Sequence, residues 1–519
     1  MRPKDPRPSI NKIAEQYFDY MAKNYPVMCL SDEFYFFPRV KKAIEYLNIL
    51  DSLDQEKLRE SVLYIKDLKS SLEKLDSKDI DLEARIDLVL LKGSMSTFIR
   101  EFNQVKIWQI DPSLYLKILL LGINQILVRF SFVKKDIDDY LLDRISKIPQ
   151  LLDEAKRNLK EIPYIYLEVA MEMVDAAIDY FKNIPHHTNK ILKSLTDFKI
   201  FLKKLPARSD FIRDRALLES ILRDSFFYKR TLSQMFDIAS KEYHHTLEEL
   251  SVLSKDIDPG KTWQEVISIY KIDIKDEKKL LELYSSQIER IKKFIKNTGI
   301  ITIPPTQDIR VSFTPKFMKP IRASASYCSP VTNNSRESGY FYITSEVTQS
   351  KSIKKIFSGI HNEYIFVTAH ETYPGHHLLD SIRRNISNPI RQQIESPFFY
   401  EGWASYAERL IDNSGYIDDP REKLVGLKRQ AWRAARAMLD IGIRIGKLNL
   451  KEAELLLKNL GYESRIVKAM SRHYVLSPGY QLCYTIGKFE IDRLKEKFVS
   501  KFGLKRFHDF LLQGGQIPF

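Results

Sequence analysis

The sequence predicts a mostly α-helical protein made of a large helical N-terminal half and a C-terminal half that adds a small antiparallel β-sheet. The chain has 519 residues but only 18 glycines and 22 prolines, so long stretches run without the residues that end helices. Apolar residues make up 44% and charged residues 29%, the balance of a folded globular protein. Short β-like runs appear after about residue 300, and helical patterns return after them.

The N-terminal half, residues 1–298, is predicted to be mostly helical. Thr262 and Glu265 have the spacing of a capping box, so a helix should begin there. Apolar residues then recur at steps of three and four through residues 280–294, the pattern of an amphipathic helix. Gly299 follows that pattern and predicts the end of the helix.

The C-terminal half, residues 299–519, opens with a change of composition. Pro304 and Pro305 suggest a linker. Three β-like runs follow, and polar, proline or glycine residues separate them: 310–313, 325–328 and 340–344. We expect a small antiparallel sheet, then helices to the end, with the two halves sharing one deep cleft.

Cysteine usage and hydropathy indicate a cytoplasmic protein. The three cysteines form no C-x-x-C pair, which argues against a disulfide framework or a zinc ribbon and favours a reducing compartment. The N-terminus leads into no apolar segment, so no secretory signal is expected. The most apolar window, residues 114–133, contains Lys117 and Arg129 and is too polar to span a bilayer.

The net charge of +14 is concentrated in one part of the chain. Residues 421–506 contain 20 Lys and Arg against 8 Asp and Glu, a surplus of +12. Such asymmetry is typical of a protein with an anionic partner, either nucleic acid or a substrate that carries carboxylates. A solvated basic surface is the simplest explanation, and nucleic acid is the least expected partner.

A metal-binding pattern stands at residues 370–377, which read His-Glu-Thr-Tyr-Pro-Gly-His-His. It begins like the H-E-x-x-H motif of zinc peptidases, but Pro374 occupies the place of the second ligand. On a straight helix His376 would lie about 9 Å and His377 about 10.5 Å beyond His370. Zinc–nitrogen bonds are about 2.0–2.1 Å long, so the helix must bulge or break before either histidine can share the ion.

A third ligand is predicted 25 residues after His376, in the run Glu-Gly-Trp-Ala-Ser-Tyr-Ala-Glu at residues 401–408. Glu401 would complete a His₂Glu site, which suits zinc and leaves a position open for water. Glu401 and Glu408 share a helix face, so one acid can bind the metal while the other supports it. Asp380 is a candidate for orienting the imidazole of His376.

These stretches, together with Pro-Gly-Tyr-Gln-Leu-Cys-Tyr-Thr-Ile-Gly at residues 478–487, resemble a known family. The family is domain of unknown function 885, grouped with the gluzincin-like zinc metallopeptidases. The resemblance implies a gluzincin-like catalytic half. In it, the three zinc ligands are His370, His376 and Glu401, and the general base is Glu371.

The resemblance also points to Arg436 and Asp440. Tyr484 lies in the third stretch, and a tyrosine hydroxyl beside a metal can stabilise a tetrahedral oxyanion, although a packed aromatic is the alternative. Arg444 and His473 depart from the residues that the family often has at these places. Both departures concern substrate specificity and leave the metal site unchanged.

The leading hypothesis is a zinc-dependent metallopeptidase in which Glu371 is the general base and zinc activates water. Carboxypeptidase action is narrowly preferred, because Arg436, Arg444 and Arg472 would suit a terminal carboxylate. An aminopeptidase would need an acidic pocket, which the sequence does not identify. The alternatives are a zinc amidohydrolase that acts on amino-acid conjugates and a non-catalytic helical protein that binds nucleic acid.

Overall fold

The fold is known from a computed structural model of the chain. It describes all residues except 1–5, 76–79, 130–136, 185–188, 210–213, 271, 273, 275, 306, 307, 323, 324, 335 and 345–359, with the backbone alone at 360 and 361. The protein is 72% helix and 4% strand, which confirms the predicted mostly α-helical class.

The helices that precede the main sheet are, in chain order, α1 (Arg7–Asn24), α2 (Pro26–Cys29), α3 (Gln55–Glu73), α4 (Leu82–Ile99), α5 (Ile107–Ile110), α6 (Ser113–Asn124), α7 (Ile137–Asn158), α8 (Tyr164–Lys182), α9 (Asn189–Lys204), α10 (Arg215–Asp224), α11 (Leu232–Ile257), α12 (Trp263–Ile269) and α13 (Glu277–Thr298). Two π-helical turns extend α4 and α6, at Arg100–Val105 and Gln125–Arg129. A 3₁₀ turn lies at Lys41–Tyr46.

The helices that follow the main sheet are α14 (Tyr364–Glu371), α15 (His376–Arg384), α16 (Pro389–Gln393), α17 (Pro397–Asn413), α18 (Pro420–Arg444), α19 (Leu450–Asn459), α20 (Ser464–Leu476), α21 (Leu482–Phe502) and α22 (Leu504–Gln513). Further 3₁₀ turns lie at Lys316–Met318 and Ile360–Glu363.

The main sheet contains β3 (Ile309–Phe313), β4 (Ala325–Cys328) and β5 (Gly339–Ile343) in the order β3–β5–β4. A separate short parallel pair joins β1 (Ile162–Pro163) to β2 (Ala207–Arg208). β4 and β5 are antiparallel, but β3 and β5 are parallel. The prediction of a purely antiparallel sheet is therefore wrong. The chain forms β4 at the far edge and then returns into the middle of the sheet, in the same direction as β3.

The predicted helix boundaries near residues 262 and 299 are confirmed. Thr262 and Glu265 form a capping box at the start of α12. Gly299 ends α13 with φ of +63°, a left-handed conformation that glycine adopts without strain. The apolar stripe of α13 is buried, and the ring of Tyr284 meets Phe341 of β5 at 5.4 Å between centroids.

Three apolar cores hold the molecule together. The first unites α1–α9 and also takes in Ile390 and Ile394 from the C-terminal half. The second unites α10–α12 with α18–α21, and the third unites α13, the main sheet and helices that flank the metal motif. The predicted division at residues 298 and 299 stays a prediction, and apolar cores cross it in both directions.

Cys29, Cys328 and Cys483 are buried free thiols. Among the described residues, no helix combines the length and the apolar character that a membrane crossing requires.

Candidate metal centre

The helix that carries the metal motif breaks after Glu371 and restarts at His376. The break needs glycine at position 375 because the chain folds back against its own backbone. A Cβ atom on Gly375 would lie 1.9 Å from the carbonyl oxygen of His370, and its N–H donates to Ala369 at 2.9 Å. The peptide bond before Pro374 is cis. The interruption that the sequence required is thus present.

The break brings His370 and His376 together with Glu401 of α17, and all three side chains are buried. Their ligand atoms lie within 4.8 Å of one another. Glu401 Oε2 is 3.3 Å from His370 Nε2 and 3.5 Å from His376 Nε2, yet it makes no hydrogen bond. Three ligand atoms bound tetrahedrally at about 2.0–2.1 Å from zinc would be about 3.3–3.4 Å apart, so these residues fit a metal ion.

The structure separates the two adjacent histidines. The ring of His376 stacks on Tyr400, with centroids 3.9 Å apart and planes 12° apart, beside Glu401. His377 is turned to the other side, where its Nδ1 lies 3.0 Å from the hydroxyl of Tyr327. His376 is therefore the histidine that joins the metal group.

Asp380 supports His376 through a third residue. It accepts a hydrogen bond from the Tyr400 hydroxyl at 3.0 Å and pairs with Arg383 at 3.1 Å. Within the described part of the chain, His376 Nδ1 has no hydrogen-bond partner. The predicted orientation of the imidazole by Asp380 is thus indirect, through the stacked ring of Tyr400.

Glu408 holds the second nitrogen of His370. Its Oε1 lies 3.1 Å from His370 Nδ1, and both of its oxygens accept hydrogen bonds from Arg429 and Arg433 at 2.6–3.2 Å. Burial raises the pKa of Glu408, but the two guanidinium groups outweigh it and hold that pKa well below its ordinary value. Arg433 Nη2 also lies 3.2 Å from this Nδ1. A carboxylate at this position favours a proton on Nδ1, which leaves the lone pair of Nε2 for a metal.

Glu371, the predicted general base, ends α14 next to His370 and is half-buried. Its Oε2 accepts a hydrogen bond from the backbone N–H of Tyr327 at 2.9 Å. Tyr327 belongs to β4, an edge strand, so the carboxylate is fixed where the sheet meets the metal motif.

Two tyrosines hold the other oxygen of Glu401. The hydroxyls of Tyr484 and Tyr480 donate to Glu401 Oε1 at 3.0 and 2.6 Å. Tyr484 was a predicted site residue, whereas the role of Tyr480 was missed. Tyr480 lies in the turn before α21, which begins at Leu482, so helical spacing does not identify it. The available signal is its place in the same Pro-Gly-Tyr-Gln-Leu-Cys-Tyr stretch as Tyr484.

A close crossing of α17 and α21 brings these tyrosines to the metal ligand. A Cβ atom on Gly402 would lie 2.7 Å from the Cα of Gly487. The two helices thus touch backbone to backbone directly beside Glu401.

Arg436 is buried beside Tyr484 and lies close to the metal group without touching it. Its guanidinium carbon is 4.3 Å from the ring centroid of Tyr484, 4.4 Å from that of Trp432 and 4.9 Å from that of Tyr474. Its Nε donates to the side-chain oxygen of Gln481 at 2.8 Å. Among the described residues, Arg436 forms no ion pair with a carboxylate.

The other residues that the resemblance singled out lie outside the metal group. Arg444 is buried and pairs with Asp440 at 2.8 Å, so it is not available to a substrate. Asp440 also accepts the N–H of Gly479 at 3.0 Å, which joins α18 to the turn before Tyr480. His473 is exposed on α20.

Comparisons with known proteins agree with the fold. No curated protein matches the chain. A solved structure described as a putative lipoprotein of unknown function from Shewanella oneidensis superposes with a TM-score of 0.73 and 19% identity, covering 98% of each chain. A second, a putative lipoprotein from Colwellia psychrerythraea, has a TM-score of 0.70 and 15% identity, covering 98% of this chain and 97% of its own. At these identities the likeness concerns the fold alone.

The model of one protein family matches residues 44–519, which are nearly the whole chain. Its description is a bacterial protein of unknown function, DUF885. The chain therefore belongs to the DUF885 family.

Proposed function

We propose that this protein is a zinc-dependent hydrolase of peptide or amide bonds, related to the gluzincin-like metallopeptidases. The observation that supports it best is the buried oxygen of Glu401, which has two imidazole nitrogens at 3.3 and 3.5 Å and no hydrogen bond. Leaving a buried carboxylate oxygen unsatisfied is costly, and a cation at this point would satisfy it. Two His and one Glu form a donor set that zinc prefers in hydrolases.

A zinc ion held by His370, His376 and Glu401 would supply Lewis acidity, which polarises a carbonyl group and activates water. Glu371 would take the proton of the attacking water and pass it to the leaving amine. The N–H of Tyr327 holds the carboxylate of Glu371 ready for this role.

Tyr484 would stabilise the negative charge that develops on the carbonyl oxygen of the substrate. Its hydroxyl has one proton, which it donates to Glu401 Oε1 at 3.0 Å, so it would turn that proton to the oxyanion while the hydroxyl of Tyr480 stays on Glu401 at 2.6 Å. The guanidinium of Arg436 faces the ring of Tyr484. A hydroxyl donor in a buried site lowers the energy of such an oxyanion.

Carboxypeptidase action is the form of hydrolysis that Arg436 favours. A buried guanidinium without a carboxylate partner can bind the terminal carboxylate of a peptide. The same contact would serve the amino-acid end of a conjugate, so amide hydrolysis of amino-acid conjugates is the second candidate.

The test combines metal analysis with product analysis. Purified protein exposed to zinc and then washed should retain about one ion per chain, because the site has three protein ligands. Incubation with a mixed peptide pool, followed by mass spectrometry, should show products shortened from the C-terminus. Zinc retention near zero would refute the site, and zinc retention without any cleaved product would refute the hydrolase.

A further inference from the structure

Helix α18 carries two neighbouring rows of basic side chains, and only one row is paired with a carboxylate of the described residues. In the first row, Arg429 and Arg433 both pair with Glu408. In the second row, Lys428, Trp432 and Arg436 follow one another at steps of four residues. Side chains at that spacing share one face, and the Cα atoms of Lys428 and Arg436 are about 12 Å apart along the axis.

Lys428 has an environment like that of Arg436. It is half-buried, its ammonium lies 4.9 Å from the ring centroid of Tyr462, and it forms no ion pair with any described carboxylate. The charge of Glu363 influences it, but that carboxylate is already bonded to Arg429. Lys428 therefore resembles Arg436 in lying against an aromatic ring with its charge unpaired.

An aromatic ring lies against each of the two cations. The ring of Tyr474 lies under Arg436, and Tyr462 lies under Lys428. Trp432, which stands between the two cations in sequence, also lies against Arg436, with 4.4 Å from the guanidinium carbon to its ring centroid. The two cations thus lie on one face of α18, each against an aromatic ring.

Among the described residues, no carboxylate forms an ion pair with Lys428 or Arg436, so their positive charges are not neutralised by a direct partner. Cations removed from water without a partner are destabilising, so a ligand that brings carboxylates gains binding energy here.

Resting on the proposed function, we propose that the substrate's terminal residue carries two carboxylates, as a C-terminal glutamate does. Arg436 would bind the main-chain carboxylate and Lys428 the side-chain carboxylate, with the residue lying against Trp432. The two carboxyl carbons of an extended glutamate are about 5 Å apart. Charge-assisted hydrogen bonds of about 2.8 Å at each end bring the span to about 10 Å, close to the rise of about 12 Å between the two positions on α18.

The experiment compares two peptides that differ in one charge and hardly in size. Zinc-loaded protein is given acetyl-Ala-Ala-Glu and acetyl-Ala-Ala-Gln, and kcat/KM is measured for each. We expect the Glu peptide to be preferred by about tenfold or more, since a charged hydrogen bond in a buried site has about that worth. In Lys428→Gln the preference should fall to about parity, mainly through KM, and in Lys428→Arg it should be retained.

Lys451→Gln is the matched control, because Lys451 is exposed on α19 and the variant makes the same change of charge. It should keep the full preference for the Glu peptide. Equal turnover of both peptides by the unaltered protein would overturn the inference and leave the hydrolase intact. A preference for the Glu peptide that survives in Lys428→Gln would also overturn the inference, provided that the melting temperature shows this variant to be folded.

A binding measurement separates this inference from the proposed function. Trp432 is one of four tryptophans in the chain and lies between the two cations, so intrinsic fluorescence should report the bound peptide. The Glu371→Gln protein allows binding to be measured without turnover. In this variant the Glu peptide should bind about tenfold tighter than the Gln peptide. If neither peptide is cleaved, the proposed function fails. Equal binding of the two peptides would then overturn the inference as well.

Discussion

Replacing Glu408 with glutamine should weaken both the fold and the metal site. The carboxylate accepts hydrogen bonds from Arg429 at 2.9 and 3.2 Å and from Arg433 at 2.6 Å through each of its oxygens. An amide at this place would turn an NH₂ group toward donors of the two guanidinium groups. Arg429 would keep Glu363, but Arg433 would lose its carboxylate partner among the described residues.

The size of the effect follows from burial. Glu408 is 3% exposed and Arg433 is 6% exposed, so solvent cannot replace the lost partner. Removing one member of a buried ion pair typically costs about 3–5 kcal/mol, a large part of the stability of most domains. Zinc affinity should also fall by about 10–100-fold, because the carboxylate that orients His370 would be gone.

Two measurements check this prediction. Urea unfolding of the metal-free protein gives the change in the free energy of unfolding, and competition with a chromophoric chelator gives the zinc affinity. Glu496→Gln, at an exposed position of α21, is the matched control and should change neither quantity. A Glu408→Gln protein with zinc affinity within about threefold of the unaltered protein would refute the support that we assign to this residue.

Four further predictions concern single positions. Gly375→Ala should abolish zinc binding and lower the melting temperature, since its Cβ would lie 1.9 Å from a carbonyl oxygen; normal zinc uptake would contradict this. His376→Ala should abolish zinc binding measured by elemental analysis, while His377→Ala should weaken it by about tenfold at most, and the reverse order would overturn the ligand assignment. Glu371→Gln should retain zinc but lose about 10²-fold or more of peptide turnover; full turnover with zinc bound would exclude it as the base. Burial raises the pKa of Asp51 to about 6, so its contribution to stability is present below about pH 4 and is lost as the pH rises through 6. Relative to Asp51→Asn, the free energy of unfolding of the unaltered protein should fall by up to about 3 kcal/mol between these pH values. A difference between the two proteins that stays constant with pH would contradict the assignment.

Much of the secondary structure could be predicted because its determinants are local. The capping box at Thr262 and the left-handed Gly299 are decided within a few residues of chain. The direction of β3 relative to β5 could not be predicted, because it depends on where the chain between them places β4. Strand order is a long-range property that periodicity does not contain.

The metal group could be predicted in outline for a similar reason. The ligand types and the need for a break were evident at residues 370–377, and Pro374 and Gly375 stand where the break occurs. The partners around the ligands could not be predicted. Tyr480 reaches Glu401 across 79 positions of sequence, and the contact exists only because the turn before α21 lies against α17.

The backbone contact between Gly402 and Gly487 changes how the run Glu-Gly-Trp-Ala should be used to find distant relatives. Its glutamate is the candidate metal ligand, whereas its glycine allows the close approach of two helices. A relative that spaced these helices more widely could lose both glycines and still keep the carboxylate. A search pattern should therefore require the acid at 401 and allow the glycines at 402 and 487 to vary together.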